Sequence, residues 1–437
     1  MIASSSSGRG HMTEQDQVYA KCAWRLIPFM MLLYVVNFVD RLNVGFAALT
    51  MNKDLNFSPS IFGFGAGVFF IGYLLFQVPA TVLLARVGAR RSVFCIMVVW
   101  GMLSASNAFV QGPSEFYILR FLLGVAEAGF FPGMIFYLTL WFPQAYRGRF
   151  TARFCGGIPL AGIIGGPLSG LILQMDGMAG LHGWQWLFLL EGVPACLLGF
   201  AALKFLPDGP ASAPWLSNAQ KDIIASRLAT ETRAEDRDLW RALRDPRVLA
   251  LGLVLFGATC ALYGITLWLP QIIRAMGFSN TATGFVVTLP YVAGLGAMIV
   301  WGRSSDAKGE RIWHVALPAL LAALGFIGAS LAQSDYLVLL ALILAMVGVL
   351  AAFGPVFALP SSFLRDTAAA GGIALVNAIG IIGGFLGPYV IGVLKEQTGG
   401  YASAMAMLAM VLVLSAVTVL ALGRAMAPRP LAIKSTI

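Results

Sequence analysis

The chain is built on apolar runs that recur along its length, each bounded by charged or turn-forming residues, and no other feature limits its fold so strongly. They lie near 24–48, 60–84, 92–110, 115–139, 151–175 and 184–206, then near 248–274, 281–303, 312–331, 336–361, 370–394 and 402–424. About 20 consecutive apolar residues cross the hydrocarbon layer of a bilayer as a helix. Inside that layer every backbone N–H and C=O must find a partner within the protein, which a helix supplies from its own backbone. Composition agrees: 59% of the 437 residues are hydrophobic and 11% are charged, against roughly 25% charged in a soluble domain. The spacing predicts an all-α membrane protein of 12 transmembrane helices, embedded in lipid as a multi-pass chain.

One long polar stretch, 207–247, divides six spans from six. The organisation expected is a polar N-terminal tail over 1–21, a six-helix bundle over 22–206, a linker over 207–247, a second bundle over 248–425 and a tail over 426–437. Within the linker, residues 218–233 carry Ile223, Ile224 and Leu228 at helical spacing, which predicts an amphipathic surface helix. Basic residues fall almost entirely on one side of this topology. With both termini on the same side, that side holds 24 of the 29 Lys and Arg, while Lys53, Arg274 and Lys395 alone lie opposite. Positive charge is retained in the cytoplasm, so both termini are expected there, in a bacterial inner membrane.

The halves repeat at one offset. Ala85, Gly88 and Arg90 after the second span align with Asp306, Gly309 and Arg311 after the eighth, a shift of 221 that also brings Gly166-Pro167 onto Gly387-Pro388. Each unit has an even number of spans. The two bundles are therefore expected to be parallel and pseudo-symmetric about an axis along the membrane normal, with a site between them near mid-membrane.

Several function classes fall away. The net charge of +9 comes from loop clusters rather than a basic face, which argues against nucleic acid. There is no G-x-x-x-x-G-K-[ST] phosphate loop, no metalloprotease helix and no G-x-S-x-G elbow. The chain is thus not expected to be an enzyme or to hold a cofactor, and an ion gradient, of protons or of sodium, remains as the drive. Cys22, Cys95, Cys155, Cys196 and Cys260 form no C-x-x-C pair and read as small buried hydrophobes. No secretory leader is evident, and Met12 is a plausible natural start. His11, His182 and His314 sit at segment ends, which argues against a histidine relay at mid-membrane.

Charge inside the apolar runs is the sharpest functional signal. Asp40-Arg41 lies about 22 Å along the first helix from Leu26 at 1.5 Å per residue, hence in its outer half. The pair either snorkels to the interface or faces a polar cavity inside the bundle. On the fourth span Arg120 and Glu127 are seven residues apart and share a face, with Gly124 between them. They form either a structural ion pair with the first helix or a working site: a guanidinium for an anionic substrate and a carboxyl able to exchange a proton. Tyr73 and Gln77 share a face of the second span, where interhelical hydrogen bonding is the competing reading.

The second half offers Tyr263, Trp268 and Gln271 on the seventh span, Ser361 and Ser362 at the end of the tenth, and Asn377 on the eleventh, but no charge at mid-membrane. Glu191, in Gly183-Trp-Gln-Trp-Leu-Phe-Leu-Leu-Glu191, reads as structural. Asp306 and Arg311 either latch helices together or are solvated. Glycine and proline crowd the fifth and eleventh spans, where they permit close contact, bending and relative motion.

These residues resemble the major facilitator superfamily, and within it the anion:cation symporter family of bacterial tartrate, phthalate and sugar-acid permeases and the animal sialic-acid and vesicular glutamate carriers. The likeness spans about residues 20–425. It is carried by Asp40-Arg41, Tyr73, Arg120 with Glu127, the 183–192 segment, and Trp301-Gly-Arg-Ser-Ser-Asp-Ala-Lys-Gly-Glu-Arg-Ile-Trp-His314. The resemblance implies that Arg41 and Tyr73 contact a substrate carboxylate, that Asp40 and Glu127 are protonatable coupling sites, that Asn377 adds a polar contact, and that Arg120 helps to organise the site. The loop after the second span departs from the superfamily signature, with Ala85 where an Asp is usual, which weakens a gating role for the first copy, while Asp306 keeps the signature in the second.

The expected function is a monomeric, proton-coupled symporter that imports a small organic anion by alternating access. A tartrate-like dicarboxylate, a sugar acid or an aromatic carboxylate fits, bound by Arg41, Tyr73, Gln77, Arg120, Tyr263, Gln271 and Asn377. An exchanger, an exporter, or a non-transporting sensor are the alternatives.

Overall fold

The computed structural model describes residues 13–230, 244–363 and 368–426; side chains are described outside 361–371. The predicted surroundings of Arg365, Arg429, Lys434, Ser361 and Ser362 lie outside the described residues. Among the described residues, twelve helices are long and apolar enough to cross a membrane: Glu14–Asp54, Pro59–Val87, Ala89–Phe109, Pro113–Trp141, Gln144–Met175, Gly183–Phe205, Pro246–Ala275, Asn280–Lys308, Ile312–Leu331, Asp335–Pro360, Gly372–Thr398 and Ala402–Ala425. They are called the first to twelfth spans below.

The first helix begins earlier than expected. Thr13 caps it: its hydroxyl accepts from the Asp16 N–H while the Asp16 carboxylate accepts from the Thr13 N–H, a reciprocal arrangement that satisfies two donors at once. The helix also runs on to Asp54, so Arg41 lies about 20 Å inside that end and about 40 Å from Glu14, in the half nearer Asp54 as the sequence predicts. In the linker the surface helix forms over Asn218–Ala229, with Ile224 buried and Ile223 and Leu228 packed at its margin. Residues 231–233 of the predicted stretch lie outside the described residues. Four of the cysteines are buried or half-buried, whereas Cys95 is exposed on the third span.

Two spans are broken where proline removes a backbone donor. In the fourth, Pro132 cannot bond the carbonyl of Ala128, and the helix stops at Glu127 before restarting at Phe130. In the fifth, Pro159 does the same to Cys155, and the helix is interrupted at Gly156. The fourth-span break places Glu127 at a helix terminus in the middle of the molecule.

Contact between the two six-helix sets is concentrated at the end poor in basic residues. Cβ atoms added at Gly45 and Gly63 would lie 2.7 Å from the carbonyl oxygens of Leu267 and Pro388, and one at Gly166 would lie 2.6 Å from that of Gly284. Only glycine lets these backbones approach so closely. Polar contacts reinforce the seal. Glu396 accepts from the Ser58 hydroxyl and the Ser60 N–H, both at 2.9 Å, and Gln174 donates to Thr281 at 2.6 Å. At the basic end Gly296, Gly302 and Gly354 have open space where a side chain would project. The sealed end is thus the one packed backbone to backbone; at the other, more open end the Phe131 ring of the first set still meets the Phe357 ring of the second, 6.5 Å between centroids.

Candidate functional site

Adjacent helical residues point about 100° apart, and this separates Asp40 from Arg41. Arg41 faces the middle of the molecule. Its Nε donates to Glu127 Oε2 at 2.8 Å and its Nη1 to the Tyr263 hydroxyl at 3.2 Å, so the guanidinium touches both halves. Asn37, one turn earlier on the same face, donates to the same Glu127 oxygen at 2.7 Å. The Glu127 side chain is wholly buried and that of Arg41 is 9% exposed. Buried charge is tolerated here because it is paired and hydrogen-bonded.

The pairing is incomplete. Arg41 Nη2, Glu127 Oε1 and Asn37 Oδ1 are buried with no hydrogen-bond partner, and so are Nε and Nη1 of Arg120. Both guanidiniums are held by aromatic faces. Arg41 lies 5.1 Å from the Phe69 ring centroid and 5.2 Å from that of Tyr73, and Arg120 lies 5.2 Å from that of Phe69. Gly124 makes this possible: it admits the backbone of the second span at Phe69, filling the gap that the sequence showed between Arg120 and Glu127. The result is two cations around one ring, each with unsatisfied N–H groups, those of Arg41 lying beside Tyr73 and Tyr263. Such a set suits an anion with several oxygen acceptors.

Asp40 points elsewhere, into the first six helices. It accepts from Trp100 Nε1 at 2.9 Å, from Asn43 Nδ2 at 2.9 Å and from the Ser104 hydroxyl. The structure thus brings together Arg41, Tyr73, Glu127 and Tyr263, gives Asp40 its own set of neutral donors behind them, and leaves Arg120 between the two groups, over the Phe69 ring and facing both Asp40 and Glu127.

Gln77 and Asn377 stand at the margin. Gly384 packs against the Phe70 ring, and Gln77 and Asn377 each lie seven residues from that contact, on the same helix faces and about 10 Å nearer the open end. Both are half-buried and flank the opening. Gln271 departs from the expectation. It is eight residues past Tyr263 on a continuous helix, about 12 Å nearer the sealed end, where its Nε2 is buried without a partner. Helical rise alone removes it from the Arg41 group.

Asn37 and Phe69 were missed by the sequence reading. Asn37 was findable as the residue one turn before Arg41; Phe69 carried no signal, because an aromatic ring in an apolar run looks like lipid-facing or core packing. The turn after the second span also supplies what its sequence lacks. Asp208 of the linker accepts from the Arg90 N–H at 3.1 Å, standing near the turn where the second copy uses its own Asp306, paired to Arg311 at 2.7 Å.

Comparison with known proteins identifies the family. The Major Facilitator Superfamily pattern matches residues 30–388. A protein of Agrobacterium vitis, provisionally named a tartrate transporter, is 46% identical over 94% of this chain and 95% of its own length. A quinolone resistance transporter of Acinetobacter baumannii is 40% identical over 92% of this chain and 94% of its own. Among solved structures, a bacterial homolog of the human lysosomal transporter Spinster, in an inward-facing and occupied conformation, has a TM-score of 0.75 at 15% identity and covers 93% of this chain and 97% of that one; that likeness concerns the fold alone. The chain belongs to the Major Facilitator Superfamily, and it is a multi-pass membrane transporter of a small organic substrate rather than an enzyme.

Proposed function

We propose that the protein imports a small organic anion together with protons, by alternating access across a bacterial inner membrane, as a monomer with both termini in the cytoplasm. One observation carries the reading: Arg41 sits between the halves, tied by one N–H to Glu127 and by another to Tyr263, with its Nη2 left over. A carboxylate substrate and Glu127 compete for the same guanidinium. When Glu127 is ionised it is the counter-ion of Arg41; when it takes a proton, Arg41 is free to bind the substrate carboxylate. Proton and anion then load together, and the loaded site carries less uncompensated charge through the transition than a half-loaded one.

On this reading the basic-rich side is cytoplasmic, the glycine-packed end is the outer seal, and the protein stands inward-open. Reopening outward breaks the contacts of Gly63 with Pro388 and of Gly166 with Gly284, and closes the space beside Gly296 and Gly354. Tyr73, Tyr263, Gln77 and Asn377 give the pocket hydroxyl and amide groups for a hydroxylated acid, and the relative named for tartrate favours a tartrate-like dicarboxylate. Purified protein in liposomes, given an inward tartrate gradient with a pH electrode outside, tests this: uptake with co-directional proton movement is expected.

The similarity to a quinolone resistance transporter favours a second reading, export of a carboxylate-bearing drug through the same arginine. In that case proton and substrate fluxes run in opposite directions in the same assay.

A further inference from the structure

Glu191 is a buried acid that the site above does not use. It lies on the sixth span about 12 Å from the Gly183 end and is 4% exposed. Its Oε1 accepts from the Ser169 hydroxyl at 2.8 Å, and its Oε2 is buried with no hydrogen-bond partner. No cation is paired with it among the described residues. Asn43 stands between it and Asp40: the Asn43 amide donates to Asp40 at 2.9 Å and packs against Glu191. The direct donors to the two carboxyls, Trp100, Asn43, Ser104 and Ser169, are all neutral.

Two carboxylates in one buried, neutral-donor network repel each other, and like charges so placed do not ionise together without a cation between them. The charged and titratable groups that face this pair are few. Arg120 and Glu127 approach Asp40 from the fourth span, and the Cys196 thiol does so from the sixth. Among the described residues Arg120 is the cation that faces Asp40, and Glu127 shares it.

We infer that Asp40 and Glu191, bridged by Asn43, form a single proton-binding site in which the two acids hold one proton in common. The geometry also gives this site an outlet. Ser169 sits on the fifth span between Gly166 and Gly170, both of which pack on Gly284 of the other half. The protonation state of the pair therefore bears directly on the fifth span where it seals against the eighth. This inference rests on the reading of Asp40 as a proton site and adds Glu191 to it, as a residue acting through Asp40 rather than on the substrate.

The test needs no substrate. Purified full-length protein is titrated by infrared difference spectroscopy, following the C=O stretch of protonated carboxyls in wild type, Asp40→Asn, Glu191→Gln and the double variant. Two acids that share a proton titrate as a pair, so Asp40→Asn is expected to move the Glu191 midpoint, and Glu191→Gln the Asp40 midpoint, by about one pH unit or more. Both amides keep the size of the acids and remove the titrating proton, although each turns one acceptor oxygen into a donor; retained thermal unfolding shows that the fold is intact. Midpoints unchanged by either substitution would overturn the inference, because a structural Glu191 leaves Asp40 unaffected. Loss of fold in Glu191→Gln is met by Ser169→Ala, which removes the one hydrogen bond to Glu191 and must likewise move the Asp40 midpoint. The transport assay separates the two claims: absent proton movement in wild type removes the symport reading, whereas independent midpoints in a proton-coupled wild type remove the shared site alone.

Discussion

The two halves are copies in their packing and opposites in their chemistry. At the shift of 221, Gly63 corresponds to Gly284 and Gly166 to Gly387. Gly63 meets the eleventh span at Pro388 while Gly284 meets the fifth at Gly166, so the seal is the same contact made twice. The same shift carries Asp40-Arg41 to Ala261-Leu262, Arg120 to Ala341, Glu127 to Gly348 and Glu191 to Leu412. Where the first half places Ser104 beside Asp40, the second has Gly325, which packs against Ala345; where the first has Glu127, Gly348 packs against Pro318. Close helix contact replaces buried charge. On the proposed mechanism, rocking needs the seal in both copies while binding and coupling need charge in only one, and the second half contributes Tyr263 across the interface.

The largest effect expected from breaking this asymmetry is at Arg41. Arg41→Ala removes a cation that reaches both halves, and a lost charged hydrogen bond worth about 3 kcal/mol corresponds to roughly a hundredfold weaker tartrate binding by calorimetry. Unchanged affinity would move the anion site to Arg120. Next comes the packing that the halves share. Gly284→Leu forces a side chain into the Gly166 backbone, and overpacking of this kind costs about 1–3 kcal/mol; a lower Tm is expected, with Gly296→Leu, at the open end, leaving Tm unchanged. Equal effects at the two glycines would contradict a closed seal opposite an open mouth. The smallest effect belongs to the flanking amides. Gln77→Ala or Asn377→Ala removes at most one hydrogen bond of about 1 kcal/mol, about a fivefold change in KM, with the ratio of protons to substrate unaltered.

Much of this was legible in the sequence, for physical reasons that differ by feature. The spans could be read because a bilayer demands long apolar helices, and the repeat because Gly-Pro and the basic turns recur at one offset. Arg41, Arg120 and Glu127 stood out because a charge in an apolar run has few innocuous explanations. Their partners did not stand out. Phe69 and Trp100 look like any aromatic in a hydrophobic stretch, and that Asp40 and Arg41 face different helices follows from tertiary packing around the first span. Gln271 was misplaced because residue type was weighed without its depth. The early start at Glu14 was hidden because Thr13, Glu14 and Asp16 are polar, although they spell a capping box.

The central claim is that Glu127 and the substrate contend for Arg41, and Glu127→Gln in proteoliposomes tests it most directly. The amide keeps a neutral partner beside Arg41, so tartrate counterflow between equal pools should persist at a rate near that of wild type. Accumulation driven by an inward proton gradient should fall to equilibration, with no proton movement at the electrode. Wild-type accumulation and proton flux in Glu127→Gln would contradict the account.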